Sequence, residues 1–229
     1  MMNNNSECAM VNSTHAERFG DWDQYEKLRS DLYGMCARVL AFPQKNEHER
    51  HFLLAAIRRT LSLEKAFVQS VESNNGQMAM TLVRLNLDTL ARFYTLYWAE
   101  QTEGMSAESL AKDIAQGKSI KNMKFKKSKE NATDRWLIEQ IKPLGKWIPI
   151  VYTKTSGAIH FSDFHISQLI QQFKAAERLE DGSVLGEISI GPGERDSDPE
   201  LYREVRQAFL HISMMLAEGI RHRCELACC

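Results

Sequence analysis

Between Gln77 and Trp98 the chain reads QMAMTLVRLNLDTLARFYTLYW. Spacing predicts one helix from about Gln77 to Glu100, and its apolar residues, Met78, Met80, Leu82, Val83, Leu85, Leu87, Leu90, Phe93, Leu96, Tyr97 and Trp98, leave almost no face for water. A helix apolar nearly all round belongs at the centre of a bundle, with other helices packed around it. Yet Thr81, Arg84, Asp88 and Thr95 recur on one face, with Ala91 between them, and Arg84 and Asp88 stand one turn apart, where they can pair. Burying such a pair costs several kcal/mol per ion unless other polar groups join it. Something polar must therefore face this stripe.

The flanking sequence supplies the surrounding helices. Ala16 to Phe42 carries an apolar stripe through Phe19, Trp22, Tyr25, Leu28, Leu32, Met35 and Val39, and Pro43 ends it. Asn46 to Glu72 repeats the pattern, with Asn46 and Glu49 at capping-box spacing, and Ser73-Asn-Asn-Gly76 reads as a turn. Three long helices on short connections pack antiparallel. Beyond about Glu100 the elements shorten: a surface helix at Ser106–Gln116, one at Thr133–Ile141 capped by Thr133, and one at about Ile150–Ile159. Val184 to Ile190 has the alternation of a strand, while Phe164 to Phe173 reads equally as its partner or as a short helix. Asp198-Pro199 opens a last helix to about Arg223. The expected fold is mainly α: an antiparallel helical bundle in a single domain over 16–229, with an irregular or β-hairpin insertion at 162–198 and a flexible polar tail at 1–15.

Composition agrees. Of 229 residues, 43% are hydrophobic and 26% charged, with 29 Lys plus Arg against 30 Asp plus Glu. That excludes a disordered chain or a disulfide scaffold, and a whole-molecule electrostatic footprint for nucleic acid, while leaving room for a local basic patch. No apolar run is long enough to span a bilayer, and the opening MMNNNSECAMVNST is not a secretory signal. Five cysteines, three of them in the last six residues, make a poor disulfide framework, so a cytoplasmic location is expected. His222, Cys224, Cys228 and Cys229 lack the second ligand pair of a structural zinc site. His160, Asp163 and His165 match no metal-helix spacing, and His48 and His51 beside Glu47 and Glu49 come close to a Glu-x-x-His motif but lack the second such motif a di-metal bundle needs. Neither metal nor cofactor is expected.

The best candidate to face Arg84 and Asp88 is the segment from Tyr152 to Ser162. On a helix Tyr152, Ser156 and His160 share a face, and Gly157 allows a neighbouring backbone to come close. His160 is placed to act as a general base, or equally as a hydrogen-bonded core residue ending its helix. Six lysines fall between 118 and 129 around Phe125. Of these, Lys124, Lys126 and Lys127 are candidate phosphate contacts, against the plainer reading of a solvated charged loop.

Long helices, an internal Arg84 with Asp88 one turn on, and the later Tyr152-x3-Ser156-x3-His160 resemble an uncharacterised bacterial all-helical family in or near the HEPN superfamily, over roughly Gln77 to Ser162. The resemblance implies a helical bundle, a homodimer, and a metal-independent endoribonuclease or RNA-binding protein of stress or phage defence. The family's motif is an arginine, a polar residue and a histidine four to six residues later. Here Lys154 stands for the arginine and Thr155 for the usual Asn, Asp or His, ahead of His160. By that resemblance His160 exchanges a proton with the ribose 2′-OH or the leaving oxygen. Lys154 or Arg84 stabilises the phosphorane, and Asp88, Tyr152 and Ser156 support them. The alternative expectation is a non-catalytic interaction module in which these polar residues join helices.

Overall fold

The computed structural model describes residues 18–194 and 198–227; the polar tail, the helix start at Ala16, and Cys8, Cys228 and Cys229 lie outside the described residues. The fold is mainly α with one small antiparallel hairpin. Helix α1 (Trp22–Leu40) stops short of Pro43, which begins a single 3-10 turn leading into α2 (Glu47–Glu72). Asn74, in the left-handed region at φ 53°, reverses the chain. Asn75 then caps α3 (Gly76–Phe93) by accepting from the Met78 amide at 3.1 Å.

The single helix expected from Gln77 to about Glu100 is broken at Tyr94, and α4 (Thr95–Glu100) follows as a separate short piece. Thr95 donates its hydroxyl to the Arg92 carbonyl, and the Tyr97 amide bonds Tyr94 at 3.1 Å, so the backbone tightens where a side chain competes for a helix carbonyl.

Helix α5 (Ala107–Ala115) starts with Ser106 and Ser109 capping each other, as their spacing suggests. It is less of a surface helix than expected, because Ala107, Leu110 and Ala111 are buried and the helix packs on α2. Its Glu108 does what the Asn46–Glu49 pair was expected to do. The Glu108 carboxylate accepts from the His48 amide (3.1 Å), the Glu49 amide (2.8 Å) and His48 Nδ1 (2.7 Å), capping α2 from 60 positions away. Asn46 instead donates its side-chain amide to the Glu49 carboxylate at 3.1 Å.

Then come α6 (Asp134–Ile141), α7 (Ile148–Ile159) and α8 (Asp163–Gln171). Phe164 to Phe173 is thus mostly helix, and the partner of strand β2 (Val184–Ile188) is the next segment, β1 (Phe173–Arg178). Phe173 lies opposite Ile188 and Lys174 opposite Glu187, with a bulge between Ala175 and Glu177. The strands pack chiefly on each other.

Helix α9 (Pro199–Ala227) is capped by Asp198, whose carboxylate accepts from the Glu200 amide at 2.9 Å. It fills the middle of the bundle: Phe209, Leu210, Ile212, Leu216 and Ile220 are fully enclosed. Tyr25, Phe67 and Phe209, from α1, α2 and α9, stack with centroids 4.3 to 6.1 Å apart. Successive helices α1, α2 and α3 alternate in direction. Asn86 bonds Ser213 at 2.7 Å and Tyr97 bonds the Gly219 carbonyl at 3.0 Å, later residues with later ones, so α9 runs parallel to α3 and antiparallel to α2. At the other end of α2 a buried Glu49 accepts from Arg223 Nε at 2.8 Å, and Glu100 completes the cluster at 2.8 Å from Arg223 Nη1. Two buried charges need that third partner and that geometry to offset their desolvation.

Candidate functional site

The polar stripe of α3 meets α7. The Thr81 hydroxyl reaches the Gln77 carbonyl of its own helix (2.9 Å) and the Ala158 carbonyl of α7 (3.1 Å). One turn on, the Arg84 guanidinium lies over the Tyr152 ring, its Cζ 4.1 Å from the centroid, and pairs with Asp88. Asp88 is shared with Arg92 at 3.3 Å, and Arg92 reaches Asp134 at the start of α6 at 2.7 Å. An alternating chain of charges, Arg84–Asp88–Arg92–Asp134, thus runs from the α3–α7 contact to α6. The Arg84 side chain is only 6% exposed, and its Nε has no hydrogen-bond partner among the described residues. Stacking on Tyr152 and pairing with Asp88 are what compensate its burial.

The remaining candidates do not join this group. Ser156 donates to the Tyr152 carbonyl at 2.6 Å and is spent on its own helix. Lys154 faces α9, 3.9 Å from Glu204, with both side chains exposed. His160 is the residue after the last turn of α7, extended (φ −111°, ψ 139°) and exposed, and it forms no hydrogen bond among the described residues. Lys154, Arg84 and His160 therefore do not converge on one reacting centre within the chain.

The lysine run is a built loop. Phe125 is buried beneath it, in ring contact with Trp98 and Trp136. Lys126 sits at φ 55°, its amide donating to Thr102 at 2.8 Å and its ammonium lying 5.2 Å from the Trp98 ring centroid. It is a structural residue. Lys118 pairs with Asp113 at 2.8 Å. Lys121, Lys124, Lys127 and Lys129 are exposed and have no acidic partner among the described residues. Their loop neighbour Lys126 lies over Trp98 of α4, whereas Thr81 and the end of α7 meet near the start of α3.

Beside that end lies a cavity of about 370 Å³ between the start of α3, α8 and the loop after β2, with Gln77, Thr81, His165, Gln168 and Glu194 in its wall. His165 accepts from the Ser162 amide at Nδ1 (3.3 Å), while Ser162 caps the Phe164 amide at 3.3 Å. That bond leaves the proton on Nε2. The Glu194 carboxylate accepts from Tyr202 at 3.1 Å, and the space for it exists because residue 76 is glycine: a Cβ there would meet Glu194 Oε1 at 2.3 Å. Burial pushes the Glu194 carboxyl above the usual carboxylate value, against the bonds from Tyr202 and the Gly76 amide that pull it down. Glu194 closes the loop onto α3. Nothing in the spacing of the irregular 162–198 segment pointed to it, although Ser162 and His165 carry the Ser-x-x-polar signal of a capped helix start.

Among the described residues no three His, Cys, Asp or Glu side chains are grouped to hold a metal ion, and no helix is long and apolar enough to cross a membrane. Compared with protein-family models, curated proteins and solved structures, the chain matches none.

Proposed function

We propose that this chain is a non-catalytic protein-interaction module that pairs with a second copy of itself through the face formed by α8, the hairpin and the residues flanking them. The observation that carries this reading is the apolar surface at 159–190. Phe161 is 87% and Ile190 85% exposed, and Ile166, Ile170, Leu185 and Ile188 are exposed with them. No residue of α8 is buried, and every residue of β2 is exposed. A lone two-stranded hairpin is marginal in water, and so many exposed apolar side chains within one stretch of chain mark an interface.

A second copy is favoured by the sequence of β2. Antiparallel pairing of two β2 strands about Gly186 sets Val184 against Ile188 and Leu185 against Glu187, so no like charges meet. Arg84, Asp88 and Tyr152 serve in this reading as the joint that holds α7, and hence the whole face, on α3.

One observation favours a second reading, the HEPN-like ribonuclease. His160 is exposed between Ile159 and Phe161, inside the same apolar surface, so a symmetric dimer would bring two His160 side chains to one seam. The lysines at 121, 124, 127 and 129 would then hold RNA at a distance from it. The test is sedimentation of the full chain beside Leu185→Lys and Ile170→Lys, with RNA cleavage in EDTA measured above and below the dimerisation concentration for wild type and His160→Ala. The module reading expects a dimer that either lysine variant dissociates and no cleavage by any form. Cleavage by the dimer alone, lost in His160→Ala, would replace it with the ribonuclease. A monomer at every concentration would refute the pairing.

A further inference from the structure

A second cavity, of about 460 Å³, opens between α2, α3, α5 and the turn after α5. That volume lies within the range of small-molecule sites, roughly 300–1,000 Å³. Its body is apolar, with Phe52 and Ala56 of α2 on one side and Ile114 and Ile120 on the other. Its polar groups gather on one side only: Arg59, Asp88, Thr89 and Arg92. These do not carry equal freedom. Asp88 is claimed by Arg84 and Arg92, and Arg92 also by Asp134.

Arg59 is different. Its Nε donates to Thr89 Oγ1 at 2.9 Å, and Thr89 in turn donates to the Leu85 carbonyl at 2.9 Å. The hydroxyl proton is therefore directed at the backbone, and the lone pair that remains fixes the guanidinium by its inner edge. The two terminal nitrogens of Arg59 have no partner among the described residues. With Asp88 already shared between Arg84 and Arg92, no acidic side chain among the described residues pairs with Arg59, which presents its fork at the edge of an apolar space.

We infer that this cavity binds a small amphiphilic monocarboxylate, with its hydrocarbon or aromatic body between α2 and α5 and its carboxylate bidentate on Arg59. A planar guanidinium matches a carboxylate by two parallel N–H···O bonds, which a neutral alcohol cannot accept in the same way. A phosphate dianion would bring more charge than the rim offsets, and would gain nothing from Phe52, Ile114 and Ile120. The inference stands apart from the pairing face, with which the cavity shares no lining residue.

The experiment is titration calorimetry on the full chain with three probes: octanoate, 4-phenylbutyrate and 1-octanol. It is repeated on Arg59→Gln, which removes the charge and the fork but leaves a shorter polar amide, and on Ala55→Phe, which fills the mouth from an exposed position. At least one of the two carboxylates should bind, 1-octanol should bind about tenfold more weakly or worse, and Arg59→Gln should cost a similar factor. Ala55→Phe should abolish binding while the melting temperature holds. Octanol binding as well as the acids, an Arg59→Gln affinity equal to wild type, binding that survives Ala55→Phe, or no binding of either acid would each overturn the assignment.

Discussion

Two glycines in helix interiors should respond in opposite directions to the same substitution. Gly219 of α9 lies against Phe93 of α3: a Cβ at 219 would stand 2.4 Å from Phe93 Cε1 and 2.9 Å from Cζ. The ring has nowhere to go. It is fully buried, and it sits edge-on to Tyr94 at 5.5 Å and to Tyr97 at 5.9 Å. Overpacking a filled core costs about 1–3 kcal/mol, and a contact this short belongs in the upper part of that range. Alanine recovers about 1 kcal/mol of helix propensity, so Gly219→Ala should lose about 1–2 kcal/mol net. Gly34 of α1 is exposed and has nothing within 4 Å of its would-be Cβ, so Gly34→Ala keeps the propensity gain of about 0.5–1 kcal/mol. For a domain of this size each kcal/mol moves the melting temperature by about 2–4 °C. Urea denaturation and calorimetric melting of both variants should show a fall for one and a rise for the other. If Gly219→Ala is neutral or stabilising, the close approach of α3 and α9 described above is wrong.

Two further perturbations probe the charges. Glu49→Leu and Arg223→Met each strand a partner in the core and should cost about 3–5 kcal/mol, whereas the double variant Glu49→Leu with Arg223→Met should recover most of it; urea midpoints of the three decide, and additive losses would contradict a coupled pair. At Glu108 burial pushes the carboxyl up, but the bonds from the Glu49 amide and from His48 outweigh it and hold the value below the usual glutamate range. The ionised form is thus favoured in the native state, so its contribution is present at neutral pH and is lost as pH falls through the lowered value. Glu108→Gln should accordingly be less stable than wild type at pH 7, with the gap closing in the acid limb of a stability–pH curve; a gap that widens on acidification would reverse the sign of the reasoning.

How far the fold could be read beforehand varies with the distance over which its causes act. Helices α1, α2 and α3 follow from apolar residues three and four apart, and the Arg84–Asp88 pair follows from one turn of spacing. Strand β1 does not, because Phe-Lys-Ala-Ala-Glu-Arg has neither alternation nor β-branching and becomes a strand only by pairing with Val184–Ile188. The break at Tyr94 hides in a run whose apolar spacing continues straight through it. Glu108 capping α2 across 60 positions, and Arg223 meeting Glu49 across 174, leave no mark in any window of sequence. The candidate site divides the same way. Helical phase brings Tyr152 and Ser156 into register, but the chain leaves the helix at His160, so the phase that placed it beside them ends one residue too soon. Arg59 and Thr89 belong to different helices, and no local spacing joins them.

Helix α9 lies parallel to α3 and is reached only by way of everything between Glu100 and Pro199. This has a bearing on synthesis. When α1, α2 and α3 have left the ribosome they can form their two hairpins, but Tyr25, Phe67 and Asn86 must wait for Phe209 and Ser213, and the Glu49 carboxylate for Arg223. Until α9 is made, the nascent chain carries an open apolar trough with a carboxylate at one end. Long-range closure of this sort is slow, and it exposes the intermediate to aggregation. A ribosome-bound chain halted before Pro199 should therefore be a chaperone client, and release of that chaperone should coincide with the emergence of α9.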